Sequence, residues 1–151
     1  MSDEIIGIKV IPLRQIVDER GKVMHMLRAD APHFVQFGEV YFSVVDPKVI
    51  KGWHGYYTKW MNYACIVGKV KLVLYDTRPN SETCGQFQEI VLSPTGAYNL
   101  VIIPPGIMNG FMGLDDRPSM VAICASEPFD ENKTIRKSLP EIPYDWRIRN
   151  G

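Results

Sequence analysis

Tyr63-Ala64-Cys65-Ile66-Val67-Gly68-Lys69-Val70-Lys71-Leu72-Val73-Leu74-Tyr75-Asp76 is the stretch on which the fold turns. Its first five residues have no polar face, as expected of a strand covered on both sides. Gly68 turns the chain, and residues 69–76 then alternate over part of their length, the period of a half-buried strand. The same texture recurs on either side. Residues 38–45 are rich in β-branched and aromatic side chains and stop at Asp46-Pro47. Residues 6–11, 22–27, 49–54, 88–92, 99–103 and 119–125 read as further strands. Turn signals return roughly every eight to twelve residues, the rhythm of a sandwich or barrel. One short helix is expected near residues 132–137, and residues 147–151 read as a polar, mobile tail. The expectation is one all-β domain over residues 1–151.

Composition narrows the function. The 151 residues carry 17 Lys+Arg against 17 Asp+Glu, so no basic excess is available to coat a nucleic acid or an anionic membrane. A small anionic ligand needs only two or three well-placed cations and stays open. Apolar residues at 46% and charged residues at 23% are globular values, which argues against disorder. Cys65, Cys84 and Cys124 show no CxxC spacing, so neither a disulfide framework nor a zinc ribbon is expected. The N-terminus has no signal-peptide pattern, and no apolar run approaches the ~20 residues of a membrane helix. A reducing cytoplasm follows as the expected location.

Only His25, His33 and His54 are available for imidazole chemistry. Three segments combine turn residues with functional groups. Lys51-Gly52-Trp53-His54 sets a cation three residues before an imidazole, and Tyr56, Tyr57, Lys59, Trp60 and Tyr63 follow. That mixture of rings and hydroxyls suits a sugar or a base. Ile103-Pro104-Pro105-Gly106-Ile107-Met108-Asn109-Gly110-Phe111 reads either as a rigid hairpin corner or as a stiff turn that offers the Asn109 amide. Asp18-Glu19-Arg20-Gly21 is a turn whose arginine is either simply solvated or a phosphate ligand.

In this order the segments resemble the sugar-nucleotide epimerase branch of the cupins, typified by dTDP-4-dehydrorhamnose 3,5-epimerase. The D-x-R-G turn of that family is similar to residues 18–21, and its R-G-L-H segment to residues 51–54. Its G-x-V and V-D-x-R-x-x-S-x-T-x-G stretches resemble residues 68–70 and 75–85. Its I-P-x-G-x-x-H-G-F corner resembles residues 103–111, with Asn109 in place of histidine, and its closing tryptophan segment resembles residues 142–146. The resemblance implies a jelly-roll barrel (a double-stranded β-helix), a homodimer, a nucleotide-diphosphate sugar as substrate, and no metal or cofactor. It implies that His54 removes a proton beside the 4-keto group of the sugar. It also implies that Lys51 serves the diphosphate and that Arg20 reaches a diphosphate from a neighbouring subunit.

Departures from the family pattern shape the rest. The reprotonating tyrosine of the family falls at Ile123, its enolate-steadying lysine falls near Met61, and its histidine-orienting carboxylate lies beyond the closing tryptophan. Strand alternation puts Lys59, Met61, Tyr63 and Cys65 on one face, so Lys59 is the candidate replacement cation and Tyr63 the first candidate for a relocated acid, with Tyr41 and Tyr56 behind it. His25, Tyr41, Tyr56 and Asn109 complete the expected substrate-binding set. The H-x-H pair and later histidine of metal-binding cupins meet only His54 here, with Tyr56 and Asn109 at the other positions. The expected activity is therefore that of an isomerase, moving a proton at one carbon: a 3- or 5-epimerase or a 3,4-ketoisomerase of deoxysugar or polysaccharide biosynthesis. The alternative is a non-catalytic sugar-nucleotide-binding cupin or partner subunit; a metal-dependent cupin comes last.

Overall fold

In the computed structural model, which describes residues 4–147, alternating side chains sort the strands into two facing sheets. In chain order the strands are β1 (Lys9–Pro12), β2 (Gln15–Asp18), β3 (Gly21–Met24), β4 (Glu39–Val45), β5 (Ile50–Tyr56) and β6 (Met61–Val67). They continue as β7 (Val70–Asp76), β8 (Phe87–Leu92), β9 (Asn99–Ile103), β10 (Ile107–Gly113), β11 (Ser119–Ala125) and β12 (Thr134–Arg136). One sheet runs β1-β9-β6-β11-β4, the other β12-β5-β10-β7-β8, and β2-β3 form a separate hairpin. All of these pairings are antiparallel. Two antiparallel sheets with these crossings make the expected cupin jelly roll.

The space between the sheets is filled by every second residue. Cys65, Val70, Leu72, Leu74, Leu92, Val101 and Val121 meet there, each at 1% exposure or less. The two-sided burial expected for residues 63–67 holds for Tyr63, Ala64 and Cys65, while Val67 is exposed at the strand end. Cys65 and Cys124 are buried as small apolar side chains, and Cys84 is exposed. A second cluster lies on the far side of the β5–β10–β7 sheet. Trp53, Val73, Met108 and Ile142 are buried there under Tyr75, Phe87, Tyr144 and Trp146, so the chain after β12 is the lid of this cluster.

Two readings of local structure are corrected. Residues 103–111 are not a hairpin corner throughout. The turn is confined to residues 104–106, where Gly106 takes φ 87° and a Cβ would lie 2.6 Å from Arg78 Cγ. Asn109 sits beyond it, inside the fully buried strand β10. The short helix near residues 132–137 is instead a three-residue 3-10 turn, Glu131–Lys133, capped by Asp130, followed by β12. Thr134 and Ile135 are β-branched, and pairing with β5 satisfies their backbone better than an isolated helical turn would. Of the expected tail, residues 148–151 lie outside the described residues.

Candidate active site

A bulge in β5 builds the mouth of the barrel. Asn109 pairs with His54 and Phe111 with Lys51, so three steps on β5 match two on β10. The extra residue lets Lys51 and His54 face inward together, although a regular strand would send residues three apart to opposite faces. Glycines make the bulge possible: a Cβ on Gly110 would stand 3.1 Å from the Lys51 carbonyl and 3.3 Å from Gly52 Cα. Trp53 is turned outward into the aromatic cluster at 0% exposure.

The result is a cavity of about 450 Å³ between the sheets. One wall carries Lys51, His54, Tyr56 and Asn109; the facing wall carries Glu39, Tyr41, Ser43, Tyr63 and Ile123. Lys59, Phe129, Thr134 and Arg136 close its rim. Two polar bridges cross from wall to wall: Lys51 Nζ donates to Ser43 Oγ at 3.0 Å, and the Tyr63 hydroxyl donates to Asn109 Oδ1 at 2.9 Å. Asn109 Nδ2 in turn donates to the His54 carbonyl at 3.2 Å. Asn109 is 2% exposed and spends both ends of its amide on the protein, so it positions its neighbours.

Electrostatics separate the roles. Burial, reinforced by the charges of Arg136 and Lys51, holds His54 below its ordinary 6.5, so the imidazole is neutral near pH 7. Burial pushes the Tyr63 hydroxyl well above its ordinary value, and burial also raises Tyr41 and Tyr56. Lys59 is 4% exposed, and among the described residues no carboxylate pairs with it. Its ammonium lies 4.5 Å from the centroid of the Tyr56 ring and 5.9 Å from that of Phe129. A buried charge held only by ring faces is poised for an anion.

The sequence-derived candidates divide cleanly. His54, Tyr63, Tyr41, Lys51, Tyr56, Lys59 and Asn109 all line the cavity. Arg20 and His25 do not. Arg20 tips the β2–β3 hairpin, where its side chain is 83% exposed and paired with Asp18 at 2.7 Å, so its own cavity receives nothing from it. His25 follows β3, and its carbonyl accepts from the Tyr98 hydroxyl at 2.7 Å. Residues 75–85, the longest stretch matched to the family pattern, form a buttress. Asp76, at 0% exposure, accepts from Arg78, Ser81 and Thr83. Burial opposes its charge, but these donors outweigh it and hold the carboxyl well below its ordinary value. Among the described residues, no group of three or more His, Cys, Asp or Glu side chains could hold a metal ion.

Arg136, Glu39, Ser43, Phe129 and Thr134 escaped the sequence reading. Arg136 is paired directly with His54 through β12 and β5, a neighbourhood that 82 residues of separation conceal. Ile123 is paired with Tyr41 on one side and Tyr63 on the other. A hydroxyl absent at position 123 is thus offered from both neighbouring strands, whose facing side chains stand about 5 Å apart.

Known proteins bear directly on this geometry. A family profile described as dTDP-4-dehydrorhamnose 3,5-epimerase matches residues 2–150. A spore coat polysaccharide biosynthesis protein of Bacillus subtilis is 26% identical over 146 residues, covering 94% of this chain and 96% of its own length. The crystal structure of a dTDP sugar isomerase from Desulfovibrio desulfuricans superposes with a TM-score of 0.91 at 39% identity, over 94% of this chain and 92% of that one. A 3'-monoepimerase from Streptomyces bikiniensis, solved with dTDP-quinovose, has a TM-score of 0.83 at 17% identity, over 95% of this chain and 76% of that one. At that identity the last match speaks for the fold.

Proposed function

Because the chain belongs to the dTDP-4-dehydrorhamnose 3,5-epimerase family of sugar-nucleotide isomerases, we propose that it moves a proton at one carbon of a nucleotide-linked 4-keto sugar, with His54 as the base. The substrate would be a dTDP-linked 4-keto-6-deoxy sugar, and the carbon C3 or C5. The observation that carries this reading is the pairing of a neutral imidazole with a buried, unpaired ammonium in one cavity.

The 4-keto group acidifies the carbons beside it. His54 takes a proton from one of them, and the electron pair moves onto the ketone oxygen, where the Lys59 ammonium stabilises the enolate. Tyr63, from the facing wall, returns a proton to the opposite side, which inverts the carbon. His54 then loses its proton to solvent and Tyr63 regains one. No step calls for a metal or an organic cofactor. Lys51 and Tyr56 hold the sugar-phosphate end, and Tyr41 and Asn109 shape the sugar pocket. If His54 instead delivered the proton to C4 on the same side, while the C3 hydroxyl proton passed to the C4 oxygen, the ketone would migrate from C4 to C3, as in a 3,4-ketoisomerase.

A homodimer and a cytoplasmic setting belong to the same proposal. The outward side chains of edge strand β4 are apolar and exposed, with Val40 at 50%, Phe42 at 59% and Val44 at 45%. Cross-strand partners Ile16 and Val23 are also exposed and apolar, on one face of the hairpin that carries Arg20. Apolar surface of this kind supports a partner copy, to whose cavity Arg20 would be delivered. Three unpaired cysteines are compatible with a reducing compartment.

The test is incubation with a panel of dTDP-4-keto-6-deoxy sugars in deuterium oxide, followed by proton NMR. Loss of the C3 or the C5 signal names the carbon. His54→Asn is expected to slow that exchange about 10²- to 10⁴-fold. Tyr63→Phe is expected to keep exchange and lose inversion. Undiminished exchange in His54→Asn would overturn the mechanism. Ile123 on the cavity wall favours a second reading, a binder without chemistry, which requires ligand binding with no exchange at any ring carbon.

A further inference from the structure

The lip of the cavity holds a cation that neither the sugar chemistry nor the expected diphosphate contacts use. Arg136 lines the mouth, and β12 sets it opposite His54 in register. Glu131 grips one side of its guanidinium, with Nε–Oε1 at 3.1 Å and Nη2–Oε2 at 3.0 Å. Among the described residues Nη1 has no partner.

We propose that Arg136 is a further diphosphate ligand, beside Lys51, that this chain supplies to its own cavity, and that Glu131 occupies the guanidinium until a phosphate displaces it. The proposal rests on the reading of the cavity as a nucleotide-sugar site.

Three arguments carry it. The lining presents three cations, Lys51, Lys59 and Arg136, against one carboxylate, Glu39, which already accepts from the Phe129 N–H at 3.2 Å. The excess is positive where an anion would enter. Next, the Arg136–Glu131 pair is open to water, at 51% and 63% side-chain exposure. Pairs so exposed are screened by water, hold their partners weakly and yield readily to a better ligand. A diphosphate carries more charge than a carboxylate and fits the same planar fork. Glu131 itself lies in the 3-10 turn outside the lining, so the exchange leaves the cavity wall in place. Lastly, Arg20 stands on the hairpin outside this cavity and Lys51 is tied to Ser43, so Arg136 is the fork closest at hand within the chain.

The experiment is calorimetric titration of wild type, Arg136→Gln, Arg136→Lys and Glu131→Gln with dTDP, inorganic pyrophosphate and thymidine, each variant checked by thermal melting. Arg136→Gln is expected to weaken dTDP and pyrophosphate about 10- to 100-fold while leaving thymidine unchanged. Arg136→Lys is expected to fall between, keeping charge and losing the fork. Glu131→Gln is expected to tighten both phosphate probes about two- to fivefold. Wild-type phosphate affinity in Arg136→Gln overturns the assignment, and unchanged affinity in Glu131→Gln overturns the place-holding role. Arg136-dependent binding of pyrophosphate without binding of dTDP keeps the assignment and removes the nucleotide-sugar reading. Binding of neither probe by wild type overturns both.

Discussion

Trp53 and His54 are neighbours in the chain and face opposite sides of the same sheet. Outside, Trp53 meets Trp146 at 5.2 Å and Tyr144 at 6.3 Å between ring centroids, while Tyr75 stacks on Phe87 at 4.5 Å. Inside, His54 looks into a cavity with an unpaired ammonium and a row of hydroxyls. Met108 and Asn109 divide in the same way on the adjoining strand. The outer face packs ring against ring and carries no charge among its buried side chains, although the Trp53 and Trp146 indole N–H groups find no hydrogen-bond partner among the described residues. The inner face leaves charge uncompensated, and that deficit is what a substrate can fill. One strand pair thus serves as buttress on one side and as reactive surface on the other.

This contrast can be broken first at its outer face. Trp53→Ala is expected to cost about 3–5 kcal/mol of stability. Chemical denaturation should register the loss, and deuterium exchange per folded molecule should fall too as β5 loosens. Lys59→Met separates the two currencies. Removing a buried, unpaired charge should raise stability by roughly 1 kcal/mol, while proton exchange at the sugar falls about 10²-fold. A variant that lost both would show that Lys59 belongs to the scaffold.

Asn109→Ala is a smaller intervention at the seam between the faces. It strips the Tyr63 hydroxyl of its acceptor and should cost about 1–3 kcal/mol, measured by thermal melting. The smallest effect concerns pH. His54 in the fold binds a proton less readily than at its ordinary 6.5. As pH falls below 6.5 the unfolded chain takes up a proton that the folded chain refuses, so stability drops with pH through that window. His54→Asn should flatten this slope in pH-dependent melts. Arg136→Gln removes one of the charges acting on the imidazole and should move its NMR titration upward; an unmoved midpoint would separate Arg136 from the base.

Most strands are legible because alternation and β-branched runs are local signals. β10 was not, since Gly110, Gly113 and two methionines dilute the strand signal and the prolines before it suggest a longer turn. β12 was missed because three residues carry too little pattern to outweigh a capped turn beside them. Among the site residues, His54, Lys51 and Lys59 stand out by proximity in the chain. Arg136 does not, because only strand pairing brings it to His54. Arg20 was readable as a motif, but a motif does not say which cavity its side chain reaches.

The bulge at Gly52–Trp53 also acts as a ruler. Before it odd-numbered residues of β5 look into the cavity, and after it even-numbered ones do. Deleting Gly52 would restore a single frame, leaving Lys51 and His54 facing inward but closer by one strand step, about 3.3 Å. The reach between cation and base is therefore written as a residue count, adjustable without altering any side chain that meets the ligand.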